Sequence, residues 1–94
     1  MDGLKNGFGC EINVNGEKYE GQWRNSKKEG YGKLTFRNGE VYTGMFHNDK
    51  EHGLGIKEFI FGNEVYDGTW TNGKATGHGV YIYGDGNSVY RGEF

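Results

Sequence analysis

A five-residue string recurs four times along this 94-residue chain and divides it into copies of one unit. Each string is a tyrosine, a glycine two residues later and a large aromatic two residues after that, and the strings begin at Tyr19, Tyr42, Tyr66 and Tyr90. A Gly-x-Gly pair follows the same period, beginning at Gly7, Gly30, Gly53 and Gly77. Cutting after each aromatic divides the whole sequence into units 1–23, 24–46, 47–70 and 71–94. Self-similarity at a short fixed period is typical of a repeat array whose neighbouring units stabilise one another.

Each unit has the polarity pattern of a β-hairpin. Glycine fills 19 positions, proline none, and aromatic residues make up 16 % of the chain, a composition that favours strands and turns. In the second unit, residues 32–46 alternate in polarity on either side of Asn38-Gly39, and Asn15-Gly16 has the same place in the first unit. Asn-Gly between alternating runs predicts a tight turn in which both central residues have positive φ. The sequence therefore predicts an all-β fold of eight strands in four consecutive antiparallel hairpins.

The glycine inside each string is predicted to make space for a ring. Gly44 lies between Tyr42 and Phe46 on one face of its predicted strand, and a strand glycine leaves room for a large neighbour. We expect an aromatic side chain of the adjacent hairpin to fill that space. The four strings would then stack as two ladders of rings, and each hairpin would be stable only against its neighbours.

Charge and cysteine content exclude several classes of protein. The formal net charge is −2, whereas nucleic-acid-binding domains are usually basic, so no nucleic-acid partner is expected. The sequence has no apolar run long enough to span a bilayer. Its single cysteine, Cys10, cannot form an intrachain disulfide and suits a reducing compartment. These features predict a cytoplasmic protein.

The residues that could support catalysis have simpler interpretations. His47 and His52 lie in one polar segment and could hold a metal ion, but the aligned segments of the other units indicate a solvated loop. His78 is predicted to pack like the residues at its position in the other units, which are Phe8, Tyr31 and Leu54. Cys10 has no histidine in its own repeat to activate it, and no Gly-x-Gly continues into a phosphate-binding motif. No catalytic residue, metal or cofactor is expected.

A polar segment after each aromatic completes the repeat. Its second residue is asparagine and its fourth is lysine, in the pairs Asn25 and Lys27, Asn48 and Lys50, and Asn72 and Lys74. With this segment, the tyrosine string and the Gly-x-Gly pair, the chain resembles the MORN (membrane occupation and recognition nexus) repeat family over its whole length. Ser26 and Asp49 depart from the family's loop glycine, which Gly73 keeps. The resemblance implies an elongated, twisted, single-layer antiparallel sheet, often with a grooved face.

The family's known settings indicate a scaffold. It occurs in ciliary radial-spoke proteins, cytoskeletal scaffolds, junctophilins, phosphatidylinositol phosphate kinases and a histone methyltransferase. The resemblance implies a non-enzymatic module that binds other proteins in a cytoskeletal or ciliary assembly, such as a flagellar axoneme. Two alternatives stay open: a membrane- or phosphoinositide-tethering module at the membrane periphery, and a regulatory region of a larger enzyme.

Two sets of residues are candidates for binding. A single-layer sheet leaves one face partly exposed, and tyrosine and tryptophan are enriched at interfaces. The aromatics of the four strings are therefore the candidate surface for a helix or an extended peptide: Tyr19, Trp23, Tyr42, Phe46, Tyr66, Trp70, Tyr90 and Phe94. A basic concentration in the first half of the chain is a weaker candidate for contact with anionic lipid: Arg24, Lys27, Lys28, Lys33 and Arg37.

The two ends of the array carry an expectation of their own. Neither terminal unit has a divergent, polar capping sequence, although a solenoid needs caps for solubility. The last predicted strand carries Tyr90 and Phe94 on an unpaired edge. We therefore expect that these residues belong to a longer array, or that neighbouring repeats or another chain cover the terminal hairpins.

Overall fold

A computed structural model describes residues 5–59, 64–84 and 89–94. They form eight strands: β1 (Gly7–Ile12), β2 (Lys18–Arg24), β3 (Lys27–Thr35), β4 (Val41–His47), β5 (Lys50–Glu58), β6 (Val65–Thr71), β7 (Lys74–Ile82) and β8 (Val89–Glu93). The strands pair antiparallel in sequence order within one sheet, whose principal extents are 51 × 25 × 16 Å. No helix occurs among the described residues. The prediction of an all-β, single-layer sheet of hairpins is confirmed.

Two-residue turns join β2 to β3, β4 to β5 and β6 to β7. Both residues of each turn have φ between 48° and 87°: Asn25 and Ser26, Asn48 and Asp49, Asn72 and Gly73. Positive φ at two successive positions is type I′ geometry, which matches the twist of the flanking strands and which asparagine tolerates well. The polar segments interpreted as loops are therefore mostly strand, with a loop of only two residues.

Hydrogen bonds link these tight turns from one repeat to the next. The amide of Asp49 donates to the carbonyl of Lys28 at 3.1 Å, and the amide of Gly73 donates to the carbonyl of Glu51 at 2.9 Å. The Asp49 carboxylate also accepts from the amide of Lys28 at 2.8 Å. Neighbouring hairpins are therefore held together at the turn edge as well as along their strands.

The turns at the opposite edge of the sheet differ from the prediction. Between β1 and β2, the amide of Gly16 donates to the carbonyl of Asn13 at 3.0 Å, and the amide of Asn13 donates to the carbonyl of Glu17 at 2.9 Å. Gly16 has a φ of 83°, whereas Asn15 is not at positive φ. Gly39, with a φ of 96°, ends the turn between β3 and β4 in the same way. These Asn-Gly pairs therefore close three-residue loops with a left-handed glycine, not two-residue turns.

Each tight hairpin contains a bulge next to its turn. β2 pairs Gly21 with Gly32 and then Trp23 with Lys28, so β3 has two extra residues between the paired positions. The same shift recurs between β4 and β5 and between β6 and β7. In each bulge the first glycine of the Gly-x-Gly pair has a φ of 66° to 100°: Gly30, Gly53 and Gly77. That glycine is required by the backbone conformation of the bulge.

The second glycine of each Gly-x-Gly pair and the glycine of each tyrosine string form one continuous row across the sheet. Each strand contributes one residue, and each pairs with the next: Gly9, Gly21, Gly32, Gly44, Gly55, Gly68, Gly79 and Gly92. A Cβ atom on Gly55 would overlap the ring of Tyr42, and one on Gly44 would overlap the backbone of β5. The expectation that a ring of the adjacent hairpin fills the space at Gly44 is therefore wrong. The ring that covers the Gly44–Gly55 pair is that of Tyr42, from the same strand as Gly44.

The aromatic rings of the strings form a single chain. Edge-to-face contacts with centroid distances of 4.6 to 5.3 Å join them in the order Trp23, Tyr19, Phe46, Tyr42, Trp70, Tyr66, Phe94 and Tyr90. Every second contact crosses from one repeat to the next, because Tyr19, Tyr42 and Tyr66 each touch the aromatic of their own string and that of the following one. The predicted two ladders are therefore one zigzag, and its first six rings form the core of the sheet together with Leu34.

We expect Gly55→Ala to lower the free energy of unfolding by about 1–3 kcal/mol, because the new methyl group overpacks the site under the Tyr42 ring. The measurement is urea unfolding followed by tryptophan fluorescence. Gly9→Ala is the matched control in the same glycine row, since its Cβ would lie 3.3 Å from the nearest atom, Nε1 of Trp23. Equal losses for the two variants would contradict the role assigned to the tyrosine ring.

Candidate functional site

The eight aromatics predicted to bind a partner lie on one face of the sheet, and most of them are covered by one another. Six are at most 7 % exposed: Tyr19, Trp23, Tyr42, Phe46, Tyr66 and Trp70. Tyr90 and Phe94, at the β8 edge, are 45 % and 41 % exposed. Partner binding by these residues stays a prediction, and the six covered rings offer little surface for it.

The buried tyrosines are held in place by hydrogen bonds in addition to their ring contacts. The hydroxyl of Tyr19 donates to the carbonyl of Gln22 at 2.8 Å, and that of Tyr42 donates to the carbonyl of Met45 at 2.8 Å. Tyr66 and Tyr90 make the same bond three residues along the chain, each at 3.2 Å. Burial raises the pKa of Tyr19 to about 12 and also raises the pKa of Tyr42 and Tyr66.

The five basic residues proposed for lipid contact are dispersed. Arg24 and Lys27 pair with each other beside the first tight turn, whereas Arg37 lies in the loop at the opposite end of β3. The Lys28 ammonium lies 5.5 Å from the ring centroid of Tyr19 and 3.8 Å from Oδ1 of Asp49, on the aromatic face. Lys33, the strand-register partner of Glu20, lies on the other face. Lipid binding stays a prediction, and no single patch gathers these charges.

His47 and His52 approach each other at the tight-turn edge. Their ring centroids are 5.6 Å apart, and Nδ1 of His47 lies 2.9 Å from a carboxylate oxygen of Glu29. The second ring nitrogen of His47 is 3.2 Å from the side-chain amide of Asn48. The contacts of His47 therefore tie the second tight turn to β3. Among residues 5–59, 64–84 and 89–94, no three metal-ligating side chains converge.

The sheet face opposite the tyrosines, here called the exposed face, is arranged in two rows on either side of the glycine row. The first row runs near the tight turns and contains Phe8, Gln22, Tyr31, Met45, Leu54, Thr69, His78 and Glu93. The second row pairs continuously from β1 to β8 and contains Cys10, Glu20, Lys33, Thr43, Ile56, Asp67, Val80 and Arg91. Between the two rows, the backbone of the glycine row forms the floor of a shallow groove across the strands.

Large apolar side chains line this groove. Phe8 and Leu54 are 77 % and 72 % exposed, and Tyr31, Met45 and Ile56 are between 41 % and 54 % exposed. Two depressions lie along it, one over Gly9 and Gly21 and the other over Gly44 and Gly55. The exposed face therefore presents apolar surface that no other part of the described chain covers.

The sequence interpretation missed these residues. Phe8, Tyr31, Leu54 and His78 are the middle residues of the four Gly-x-Gly pairs, and they lie at exposed positions. The packing role predicted for His78 is therefore wrong. The available signal was the phase of the strand: a residue next to the in-row glycine points to the face opposite the tyrosine. A large apolar residue there marks exposed apolar surface.

The comparisons with known proteins agree with the repeat pattern. The family model described as the MORN repeat matches four segments of the chain, residues 1–18, 19–41, 42–60 and 66–88. A search of curated proteins found no match. The described residues contain no helical segment with the length and hydrophobicity that a membrane span requires.

We expect the stability of the fold to decrease as the pH rises from about 10 towards 12. The folded chain retains the phenolic protons of Tyr19, Tyr42 and Tyr66 in a range where the unfolded chain releases them, because burial raises their pKa. The stabilisation that these groups contribute is therefore fully present below their unfolded pKa. It is lost as the pH rises from that value through their folded pKa. Urea unfolding at successive pH values, with tyrosinate absorbance recorded in parallel, measures the effect.

Single variants show how much one buried tyrosine contributes to the pH dependence of the free energy of unfolding. Tyr19→Phe removes one buried phenol and should make the decrease of unfolding free energy with pH less steep. Tyr31→Phe is the control, since its ring lies on the exposed face outside the chain of core rings. A free energy of unfolding that does not change between pH 9 and about 12 would contradict the expectation.

Proposed function

The chain belongs to the MORN repeat family, and we propose that it is a non-enzymatic repeat module that binds another protein through its exposed face. MORN repeats are generally non-enzymatic and commonly mediate interactions with proteins or membranes. For this chain, protein binding has the stronger support. The setting we propose is a cytoplasmic assembly of cytoskeletal or ciliary type, as the family's occurrence implies.

One observation carries the proposal: the apolar side chains of the exposed face. Leu54 is 72 % exposed in the middle of the sheet, between Met45 on β4 and Thr69 on β6. Soluble proteins rarely leave contiguous apolar surface in water unless it serves an interaction. Aromatic residues and methionine are also enriched in interfaces relative to the rest of the surface. Phe8, Tyr31 and Met45 supply these residue types here.

The groove suits a partner that inserts side chains. Leu54 and Ile56 lie on either side of Gly55, two residues apart along β5. Two residues of a strand span about 7 Å, so these two apolar side chains stand next to each other on the exposed face. An extended segment or a helix lying across the strands could therefore place a line of apolar side chains over the glycine row.

The alternative function of lipid tethering has less support in the structure. Lys28, the basic residue placed with the aromatic rings, is paired with Asp49 at 3.8 Å. Lys27 is the first residue of β3, whereas Arg37 lies in the loop beyond the other end of that strand. Stable electrostatic binding to anionic lipid usually requires a cluster of four to eight basic residues. A regulatory region within a larger enzyme would use the same exposed face as a protein-binding module.

We expect a photo-crosslinking residue at position 54 to capture another polypeptide in the cells that express this chain. Leu54 lies in the centre of the exposed face, so a docked partner would lie within reach of it. The control places the same crosslinker at Val14, which is fully exposed in the turn between β1 and β2. Crosslinked products are separated by mass and identified by mass spectrometry.

Leu54→Asp completes the test. The variant should lose the captured polypeptide in co-precipitation, while its free energy of unfolding decreases by no more than about 1 kcal/mol, the span of strand propensities. Equal capture at positions 14 and 54 would contradict the proposal. Sedimentation with phosphatidylserine vesicles that weakens with salt, together with no polypeptide captured at position 54, would favour lipid tethering instead.

A further inference from the structure

We propose that the partner of the exposed face is a second copy of this chain, docked face to face about a two-fold axis that runs parallel to the strands between β4 and β5. The inference rests on the proposed function, because it names the partner of the same face. It comes from the order of charges in the second row of that face. It also depends on the apolar residues that lie between those charges.

The central part of the second row is self-complementary. From β3 to β6 it reads Lys33, Thr43, Ile56 and Asp67. A two-fold axis between β4 and β5 places each β3 opposite β6 of the other copy. Lys33 of each copy then faces Asp67 of the other, so that one symmetric arrangement makes two opposite-charge contacts.

Both charges are available for such a contact. Lys33 and Asp67 are exposed. Among the described residues neither side chain has an ion pair within its own chain. An exposed charge that faces a like charge in a complex costs affinity, whereas opposite charges favour one orientation over others. The two residues can therefore select the arrangement of the two copies.

The charges disfavour a perpendicular two-fold axis that follows the second row. A two-fold axis running across the strands along the second row would place every strand opposite its own copy. Lys33 would then face Lys33, and Asp67 would face Asp67. Like charges directly opposite each other destabilise an interface. The order of charges therefore favours the axis parallel to the strands over a perpendicular axis that follows the second row.

Apolar residues fill the space next to the axis. The same rotation places Met45 of one copy opposite Leu54 of the other, and Thr43 opposite Ile56. Packed sheets keep their strands within about 30° of each other, so residues nearest the axis stay in register despite the twist. A dimer interface of ordinary size buries about 800 Å² on each partner, which fits within a sheet whose two longer extents are 51 and 25 Å.

The experiment is sedimentation equilibrium of the full chain over a wide range of concentrations. We expect a reversible monomer–dimer equilibrium. Lys33→Asp or Asp67→Lys alone should raise the dimer Kd at least about tenfold, because each variant brings like charges together. The double variant with both changes should restore the Kd to near the wild-type value, since the opposite charges are exchanged.

The control variant is Arg37→Asp, which reverses a charge in the loop between β3 and β4, away from the exposed face. It should leave the dimer Kd unchanged. Circular dichroism of each variant shows that the sheet is intact. A chain that stays monomeric at all concentrations overturns the inference. A dimer whose Kd is unchanged by Lys33→Asp, or is not restored by the double variant, also overturns it.

The same measurements separate this inference from the proposed function. A monomeric chain that still captures a different polypeptide at position 54 refutes the second copy as partner and leaves the protein-binding face intact. A monomeric chain that captures nothing at position 54 refutes both. A dimer that is rescued by the charge exchange supports both.

Discussion

The contact between a tyrosine ring and a glycine on the next strand is the interaction on which the rest of this structure depends. A single sheet has no second layer to bury its residues, so its core side chains must lie against the backbone of the sheet itself. Tyr42 does this over Gly55, where any side chain would overlap the ring. The ring hydroxyl then donates to a carbonyl of its own strand. Burial, hydrogen bonding and strand register are thus satisfied by one residue pair, repeated along the chain.

That contact also distributes stability between repeats. Each core tyrosine touches the aromatic of its own string and that of the next, as Tyr42 does with Phe46 and Trp70 at 5.0 and 5.2 Å. A hairpin taken alone would lose one of the two contacts. Because the core occupies only one face, the apolar residues of the other face, such as Leu54, lie outside it and stay largely exposed. Their presence is better explained by binding than by packing, which is the physical basis of the proposed function.

The candidate site was less predictable than the fold. The sequence drew attention to the large aromatics, since these residue types dominate interfaces, yet Tyr19 and Trp70 are among the most buried residues of the chain. The basic residues of the first half are close in sequence and far apart in the sheet, because Lys27 begins β3 and Arg37 lies in the loop beyond its other end. Proximity along a chain of hairpins does not predict proximity on a face.

The sequence by itself determined the four repeats, the antiparallel hairpins and the family, because these follow from local alternation, turn residues and period. Only the tertiary structure decided which face each ring occupies, since a shift of one residue exchanges the faces of a whole strand. It also decided the two roles of Gly-x-Gly. In the third unit, Gly53 has positive φ in a bulge, whereas Gly55 lies beneath a tyrosine. Two glycines that look equivalent in sequence differ because one meets a backbone requirement and the other meets a neighbouring strand's side chain.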